Sequence, residues 1–423
     1  MQDAGALAAL FERSMGLGGT WEVTDVWFEG DAGPAGELHV RVARRRGEAV
    51  ECPSCGRRAG VYDTRERVWR HLDIWQFRTY VHCAVPRADC PECGVGTVLM
   101  PWEVRPGSHF TALFEAQVLA ALMRGATMAE VAGAVGESDR RLWAMANRAV
   151  SEARARADYS GVRRVGIDET ARARGRSYVS TMLDLDGRRV VGVTAGSDGG
   201  AVGRLCDQLE AGGGDRSKVE EVTRDMSGAF ASGVASEMPQ AAQTIDRFHV
   251  MQLFSRATDK VRCEERRESA ERAEQLKGTK YVWLKREENL TERQAETRRR
   301  LDPSRSHLKT ARACQMTEAM RDVYDMPDRE SAGKALDGVV SWIMHSNVPE
   351  MKRVARTVRE NREGILNYFG SRLTNAFLEG ANSLIQSIKR AARGFRNVEY
   401  FKTMIFLRLG GLSLSAAECC ATH

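Results

Sequence analysis

The 423 residues contain no apolar run near the roughly 18 consecutive residues that a membrane-crossing helix requires. The first stretch, MQDAGALAALFERS, lacks a basic leader followed by an apolar core, so export is not expected and the cytoplasm is the expected location. Neither sign of charge dominates: 63 Lys and Arg stand against 57 Asp and Glu, a formal net charge of +6. With 43% hydrophobic and 28% charged residues the chain is not of the disordered class, and its length predicts two to four domains.

The small positive excess is unevenly spread. Basic clusters stand at RVARRR (41–46), RR (163–164), RARGR (172–176), RRR (298–300) and KRAARGFR (389–396), which permits a polyanionic partner without requiring one. Ten cysteines in a long, unsecreted chain point away from disulfides, and four of them fall into two close pairs, which favours metal.

Those pairs are Cys52-Pro-Ser-Cys55-Gly and Cys90-Pro-Glu-Cys93-Gly. In a CxxCG turn two thiolates share one tetrahedral Zn²⁺ while the glycine lets the backbone fold back beneath it. Two turns supply four ligands, so a zinc ribbon holding one structural Zn²⁺ is expected, although the intervening residues 56–89 are more numerous than the strict pattern allows. Cys83, without a close partner, reads as a small packed residue; His71, His82 and His109 are further candidate ligands.

Residues 127–150, TMAEVAGAVGESDRRLWAMANRAV, read as two short helices around a glycine turn at 136. This fits a helix-turn-helix presenting Ser138, Arg140, Arg141, Asn147 and Arg148 to DNA, or equally a helical hairpin in a core. From 161 the apolar period changes to that of strands. VRRVGIDET, SYVSTMLDLD and RRVVGVTAG form three strands, the last two joined through Asp186-Gly187. A helix, a strand VEEVTRD, a second helix and a strand AAQTID follow, which makes a mixed sheet with helices on its faces. Asp168 closes the first strand and Asp225 the fourth in this reading; neighbouring strands would bring them together, and each also suits a cap or turn.

Residues 250–370 are highly charged and helical, with Trp283 and Trp342 expected in their core, an exposed Trp stacked on a base being the alternative. Last comes TNAFLEGANSLIQSIKRAARGFRN (374–397), read as one amphipathic helix with Glu379, Ser383, Gln386, Arg390 and Arg393 in one arc. Taken alone, Glu379 reads as a solvated-face acid complementing the helix dipole.

IDET (167–170), TRDMSGAF (223–230), DRFHV (246–250), TNAFLEGANSLIQ (374–386) and KRAARGFRN (389–397), with CPSCG, PRADCPECG and PWEVRPGSHFT, together closely resemble bacterial insertion-sequence transposases of the ISL-three type. The resemblance runs in order through nearly the whole chain. It implies a ribonuclease-H-like catalytic domain with a DDE triad, which falls position by position on Asp168, Asp225 and Glu379. Phosphodiester cleavage builds negative charge on the phosphate and leaving oxygen, and an all-carboxylate set suits two Mg²⁺ (or Mn²⁺) ions that stabilise it. Asp168 is the candidate bridge, with Asp225 and Glu379 each completing one ion; Asp246 and His249 are accessory candidates, and Glu169 stays outside the triad.

The expected organisation is a multidomain α/β chain: zinc-binding 1–105, helix-turn-helix 106–160, catalytic core 161–259, helical insertion 260–370, and the final catalytic helices 371–423. The expected activity is Mg-dependent cleavage and strand transfer at insertion-sequence ends by a homodimer or larger assembly on double-stranded DNA. Arg140, Arg141, Arg148, Lys389, Arg390, Arg393 and Arg396 are the candidate DNA contacts. The alternatives are a DNA-binding regulator derived from a transposase and a structure-selective nuclease that does not join strands.

Overall fold

The computed structural model describes residues 2–17, 19–30, 36–173, 177–301, 307–371 and 376–414. It divides into two compact units, one of residues 1–157 with 388–423 and one of residues 158–387. Among the described residues no helix is long and apolar enough to cross a membrane.

The first unit opens with α1 (Gln2–Ser14) and a sheet of β1 (Trp21–Glu29), β2 (Glu37–Arg44), β3 (Val50–Glu51), β4 (Arg58–Arg70), β5 (Arg78–Cys90) and β6 (Gly94–Thr97). Its order is β1-β2-β5-β4-β3, with β6 on β5. Alternation along β2 and β5 turns Leu38, Val40, Val42, Val81, Cys83 and Val85 into a core closed by Trp69 and Trp102.

Three helices follow: α2 (Ala112–Arg124), α3 (Met128–Val135) and α4 (Asp139–Ala155). Thr127 and Glu130 form a reciprocal capping box at the start of α3, and Gly136, at φ +63°, ends it in the left-handed region that glycine occupies without cost. Ser138 caps α4.

Beneath these helices His71 is buried, its Nδ1 2.9 Å from Thr111 Oγ1. Burial, with the Arg70 charge next in weight, lowers its pKa to about 4, so it is neutral in the folded chain. A depressed folded pKa means that the stability it brings is complete above about pH 6.5 and is lost as pH falls towards 4. The loss should total about 3 kcal/mol. His71→Gln should flatten the fall in denaturation midpoint between pH 7 and pH 4.5, and an unchanged slope would contradict this.

The second unit holds β7 (Arg164–Ala173), β8 (Ser177–Asp184), β9 (Arg189–Ala195), α5 (Gly199–Ala211), β10 (Glu221–Arg224), α6 (Gly228–Glu237) and β11 (Ala242–Ile245). The sheet order is β11-β10-β7-β8-β9. β7, β8 and β9 are antiparallel neighbours, while β10 and β11 run parallel to β7. The mixed sheet expected from the strand pattern is therefore present, and the Asp184 carboxylate organises the Asp186-Gly187 turn by accepting both backbone N–H groups.

From β11 the chain enters α7 (Arg247–Glu265), α8 (Ala270–Gln275), α9 (Lys280–Leu284), α10 (Glu292–Arg300), α11 (Lys309–Tyr324), α12 (Arg329–Met344), α13 (Pro349–Glu360) and α14 (Arg362–Ser371). The apolar faces of α7 and α11 to α14 share one cluster with Ile245 of β11, so this part of the insertion is packed onto the sheet edge. Trp283 is buried as expected, in a satellite cluster with Leu308 and Cys314. Trp342 is not: at 42% exposure it borders an open cavity shared with Trp283 and Cys314, because Ile343 and Leu336 take the core-facing positions of α12.

The closing segment differs from the expected single helix. α15 (Ala376–Ala391) stops where Arg393 (φ +52°) and Gly394 (φ +94°) turn the chain, with the Gly394 N–H donated to Lys389 O at 2.8 Å, and α16 (Val398–Leu409) follows. Thr374 and Asn375, expected to open the helix, lie outside the described residues. Residues from Ile388 onward group with the first unit. There α16 packs on α2 and α4, with Tyr400 stacked on Trp143 at 4.2 Å and Arg408 donating to Leu122 O and Ala126 O. An apolar C-terminal helix finds its burial on that bundle.

Candidate functional site

Parallel pairing decides where the acids of the second unit go. Thr223 of β10 lies opposite Gly166 of β7, and Arg224 opposite Ile245 of β11. Carried on by two residues, the first register sets Asp225 beside Asp168; carried on by one, the second sets Asp246 beside Asp225. A row of three carboxylates thus borders one sheet edge. Strand neighbours β7 and β10 therefore meet the condition that the sequence left open. One detail is corrected: Asp168 does not close its strand, because antiparallel β8 carries β7 on to Ala173, well past the end of the short β10.

Asp225 and Asp246 each precede a helix. Asp225 Oδ1 accepts the Ser227 N–H at 2.8 Å, and Asp246 caps α7 by accepting the Phe248 N–H at 2.7 Å. The turn role of Asp225, the capping role of Asp246 and their place beside Asp168 are compatible, since a carboxylate has further lone pairs to offer.

Glu379 reaches this edge on α15. Leu378 lies over Gly166, where an added Cβ would stand 2.7 Å from its Cδ1, so only glycine lets the helix approach β7 this closely. One turn beyond Glu379, the Asn382 amide donates to Asp168 Oδ2, while the Glu169 backbone N–H donates to Oδ1 at 2.7 Å. Asn382 Oδ1 is buried without a hydrogen-bond partner.

Electrostatics bind the same residues into one group. Burial pushes Asp168 up to about 6, opposed by the His249 charge and the Glu169 N–H and reinforced by Asp225. Glu379 is exposed but is also raised, by the burial of its carboxyl and then by Asp246, with His249 pulling the other way. His249 thus acts on both acids, its Nε2 3.8 Å from Asp246 Oδ2. Asp168, Asp225 and Glu379 do not themselves form a group with ligand atoms within 4.8 Å of one another. The sequence reading missed Asn382, whose signal was an amide three residues after Glu379 on one helix flank.

In the first unit, Arg140 and Arg148 of α4 are exposed. Arg141 is exposed too, but it pairs with Glu137 at 2.6 Å and covers the Phe110 ring at 4.9 Å. Asn147 is turned from the expected DNA-facing set: its Oδ1 accepts the Thr403 hydroxyl of α16 at 2.6 Å. Lys389 is half-buried and Arg390 exposed on α15, whereas Arg393 and Arg396 sit exposed in the following turn, so Arg393 leaves the expected helical arc.

Cys52, Cys55, Cys90 and Cys93 converge with all four Sγ atoms within 4.8 Å of one another. Cys55 and Cys90 are 3.8 Å apart, the edge of a tetrahedron with Zn–S bonds of about 2.3 Å. Gly56 and Gly94 take φ of +70° and +78°, the backbone reversal expected of both turns. Backbone N–H groups of Cys55 and Ser54 draw the Cys52 thiol down to about 6, whereas the Cys55 thiol and then burial push Cys93 up to about 12. So crowded a thiol set ionises fully only around a cation. Cys83 is buried in the core and neither it nor His71, His82 or His109 joins this set.

Residues 48–93 match the zinc-finger model of the transposases IS204, IS1001, IS1096 and IS1165, and residues 101–150 match the helix-turn-helix domain of transposase family ISL3. Residues 165–405, more than half of the chain, match a model described as a transposase of that same family. The chain belongs to the ISL3 transposase family. This transposase is 28% identical to the transposase for insertion sequence element IS1557 of two Mycobacterium tuberculosis strains, CDC 1551 / Oshkosh and H37Rv, over 95% of each chain. It is 26% identical to the IS1001 transposase of Bordetella parapertussis, over 83% of this chain and 86% of that one. Its four-cysteine cluster and zinc-finger match support a structural zinc, and its helix-turn-helix and transposase modules make DNA its partner.

Proposed function

We propose that this ISL3 transposase cleaves DNA at the ends of an insertion sequence and joins the freed strands to a target, using Asp168, Asp225 and Glu379 as a DDE triad. The observation that carries this reading is the edge of the second sheet: strand register sets Asp225 beside Asp168, and Asn382 ties the helix bearing Glu379 to the Asp168 carboxylate. A central strand flanked by an antiparallel pair on one side and two parallel strands on the other supports a ribonuclease-H-like core.

The donor set is all oxygen, which fits Mg²⁺ or Mn²⁺ rather than a softer ion. When bound, two such ions would supply charge stabilisation at the phosphate and an activated attacking oxygen. Asp168 would bridge them and Asp225 and Glu379 would complete one each. His249, acting on both Asp168 and Glu379 and near Asp246, serves as an accessory group that orients the acids or a substrate phosphate.

The zinc-binding and helix-turn-helix modules recognise element ends, with Arg140 and Arg148 on phosphates or base edges and Lys389, Arg390, Arg393 and Arg396 on backbone phosphates. Two ends must be held together, so a dimer or larger assembly is expected in the cytoplasm. Arg140→Ala and Arg148→Ala should each reduce the slope of log affinity against log salt by about one. Arg141→Ala should change it less, because that guanidinium is already engaged.

The deciding experiment sequences the DNA on both sides of the gene and incubates the full chain with labelled DNA carrying any inverted repeats found there, plus Mg²⁺. Cleavage followed by joining is expected. Cleavage alone would replace this reading with a nuclease, and binding alone with a regulator.

A further inference from the structure

A second cluster of ligating side chains stands apart from the cysteines. Glu29 ends β1 and Glu37 begins β2, and the two are direct cross-strand partners. Like charges facing each other across an antiparallel pair are destabilising unless something positive lies between them. His39, two residues on from Glu37 and on the same face, supplies the third member, and the ligand atoms of all three lie within 4.8 Å of one another.

His39 is 6% exposed, and its Nε2 is buried without a hydrogen-bond partner. That nitrogen points between the carboxylates, 3.6 Å from Glu29 Oε2 and 3.5 Å from Glu37 Oε2. Both separations are too long for a hydrogen bond from a protonated ring, which closes to about 2.8 Å. They match the edge of a tetrahedron whose metal–ligand bonds are about 2.1 Å, an edge of about 3.4 Å. The ring is held for this purpose: Nδ1 lies 2.8 Å from His82 Nε2, and Trp27 stacks on its face at 5.1 Å. A ligating imidazole characteristically has its second nitrogen engaged in this way.

We propose that Glu29, Glu37 and His39 form a second metal site, for a divalent ion of the zinc class. The mixed nitrogen and carboxylate donors suit Zn²⁺, Co²⁺ or Mn²⁺ better than Mg²⁺, and the exposed side of Glu29 leaves a coordination position for water. The ion neutralises the facing glutamates and clips the two strands together at their paired ends.

The test uses the full chain with one equivalent of zinc already on its four cysteines, titrated with Co²⁺. Thiolate-bound cobalt gives intense charge-transfer bands, whereas an imidazole-carboxylate site gives only weak visible bands, so the two sites report separately. Wild type should take up one further equivalent with the weak spectrum, and Zn²⁺ should raise its unfolding temperature. Glu29→Gln and Glu37→Gln, both at solvent-accessible positions, should each weaken that uptake at least tenfold and remove the thermal shift. His39→Gln should abolish it. No second equivalent, or uptake unchanged in both glutamine variants, would overturn the site.

Discussion

Asp168→Asn should lower DNA cleavage and strand transfer by at least about 10³-fold while leaving affinity for end DNA within about twofold. The carboxylate lies at the β7 end of the acidic row, between Asp225, which follows β10, and the Asn382 amide on the helix of Glu379. An amide in its place keeps the volume and loses the charge that would hold a divalent ion. Asp225→Asn and Glu379→Gln should behave alike, and single-turnover assays on pre-bound DNA would separate chemistry from binding. Cleavage within tenfold of wild type in any of the three would remove that residue from the triad.

The same substitution has a stability signature of opposite sign. Burial pushes Asp168 up to about 6, above the value of an unfolded chain. A raised folded pKa means that its favourable contribution is complete below about pH 3.8 and is lost as pH rises through about 6. At pH 7 the ionised, metal-free carboxylate therefore costs about 3 kcal/mol, a cost that Asp168→Asn removes. The variant should be inactive yet harder to denature than wild type in EDTA, and the difference should shrink below pH 5. Wild-type activity should correspondingly fall below about pH 6, with the midpoint moving down as Mg²⁺ is raised, because proton and metal compete for one carboxylate.

Loss of zinc should be as severe for the first unit. Binding at a structural four-cysteine site is worth roughly 10–16 kcal/mol, and that energy is folding energy for the module around it. Here the two turns join β3–β4 to β5–β6, and the Pro53 ring fills the space beside Gly96, 2.7 Å from where a Cβ would stand. Cys90→Ser, or prolonged chelation, should release the metal, unfold these strand ends and weaken end-DNA binding at least tenfold. Metal content, amide exchange across residues 50–97 and footprinting would follow each step. Protected amides and unchanged binding in a zinc-free protein would show the cysteines to be dispensable. Asp168→Asn, by contrast, should leave zinc content and footprint intact, which separates the two effects.

Local signals in the chain were read reliably where one element sufficed to express them. The CxxCG turns, the capped pair of helices around Gly136 and the Asp186-Gly187 hairpin appear as expected, because glycine, caps and short spacings act within a few residues. Errors came where a neighbour decides. Asp168 was expected at a strand end, but antiparallel β8 extends β7. Trp342 was expected inside, but it borders an open cavity on a helix whose core positions belong to Leu336 and Ile343. Asn147 was expected to face DNA, but Thr403 lies across from it, 256 residues away in the chain. The arc from Glu379 to Arg393 assumed a helix that the Arg393–Gly394 turn interrupts. Asn382 had no pattern of its own to announce it; its meaning arises from a strand more than two hundred residues earlier.

By itself the sequence determined the kind of protein: ordered motifs from CPSCG to KRAARGFRN identify an ISL3 transposase, and the cysteine pairs in them supply soft ligands suited to zinc. Only the tertiary structure decided which groups meet. It paired β10 with β7 so that two aspartates adjoin, laid Leu378 over Gly166, grouped the last helix with the first unit, and aimed His39 between Glu29 and Glu37. The reason is physical: propensity and turn chemistry act over a few residues, whereas ligand sets depend on strand register and helix packing, which are settled by burying surfaces distant in the chain.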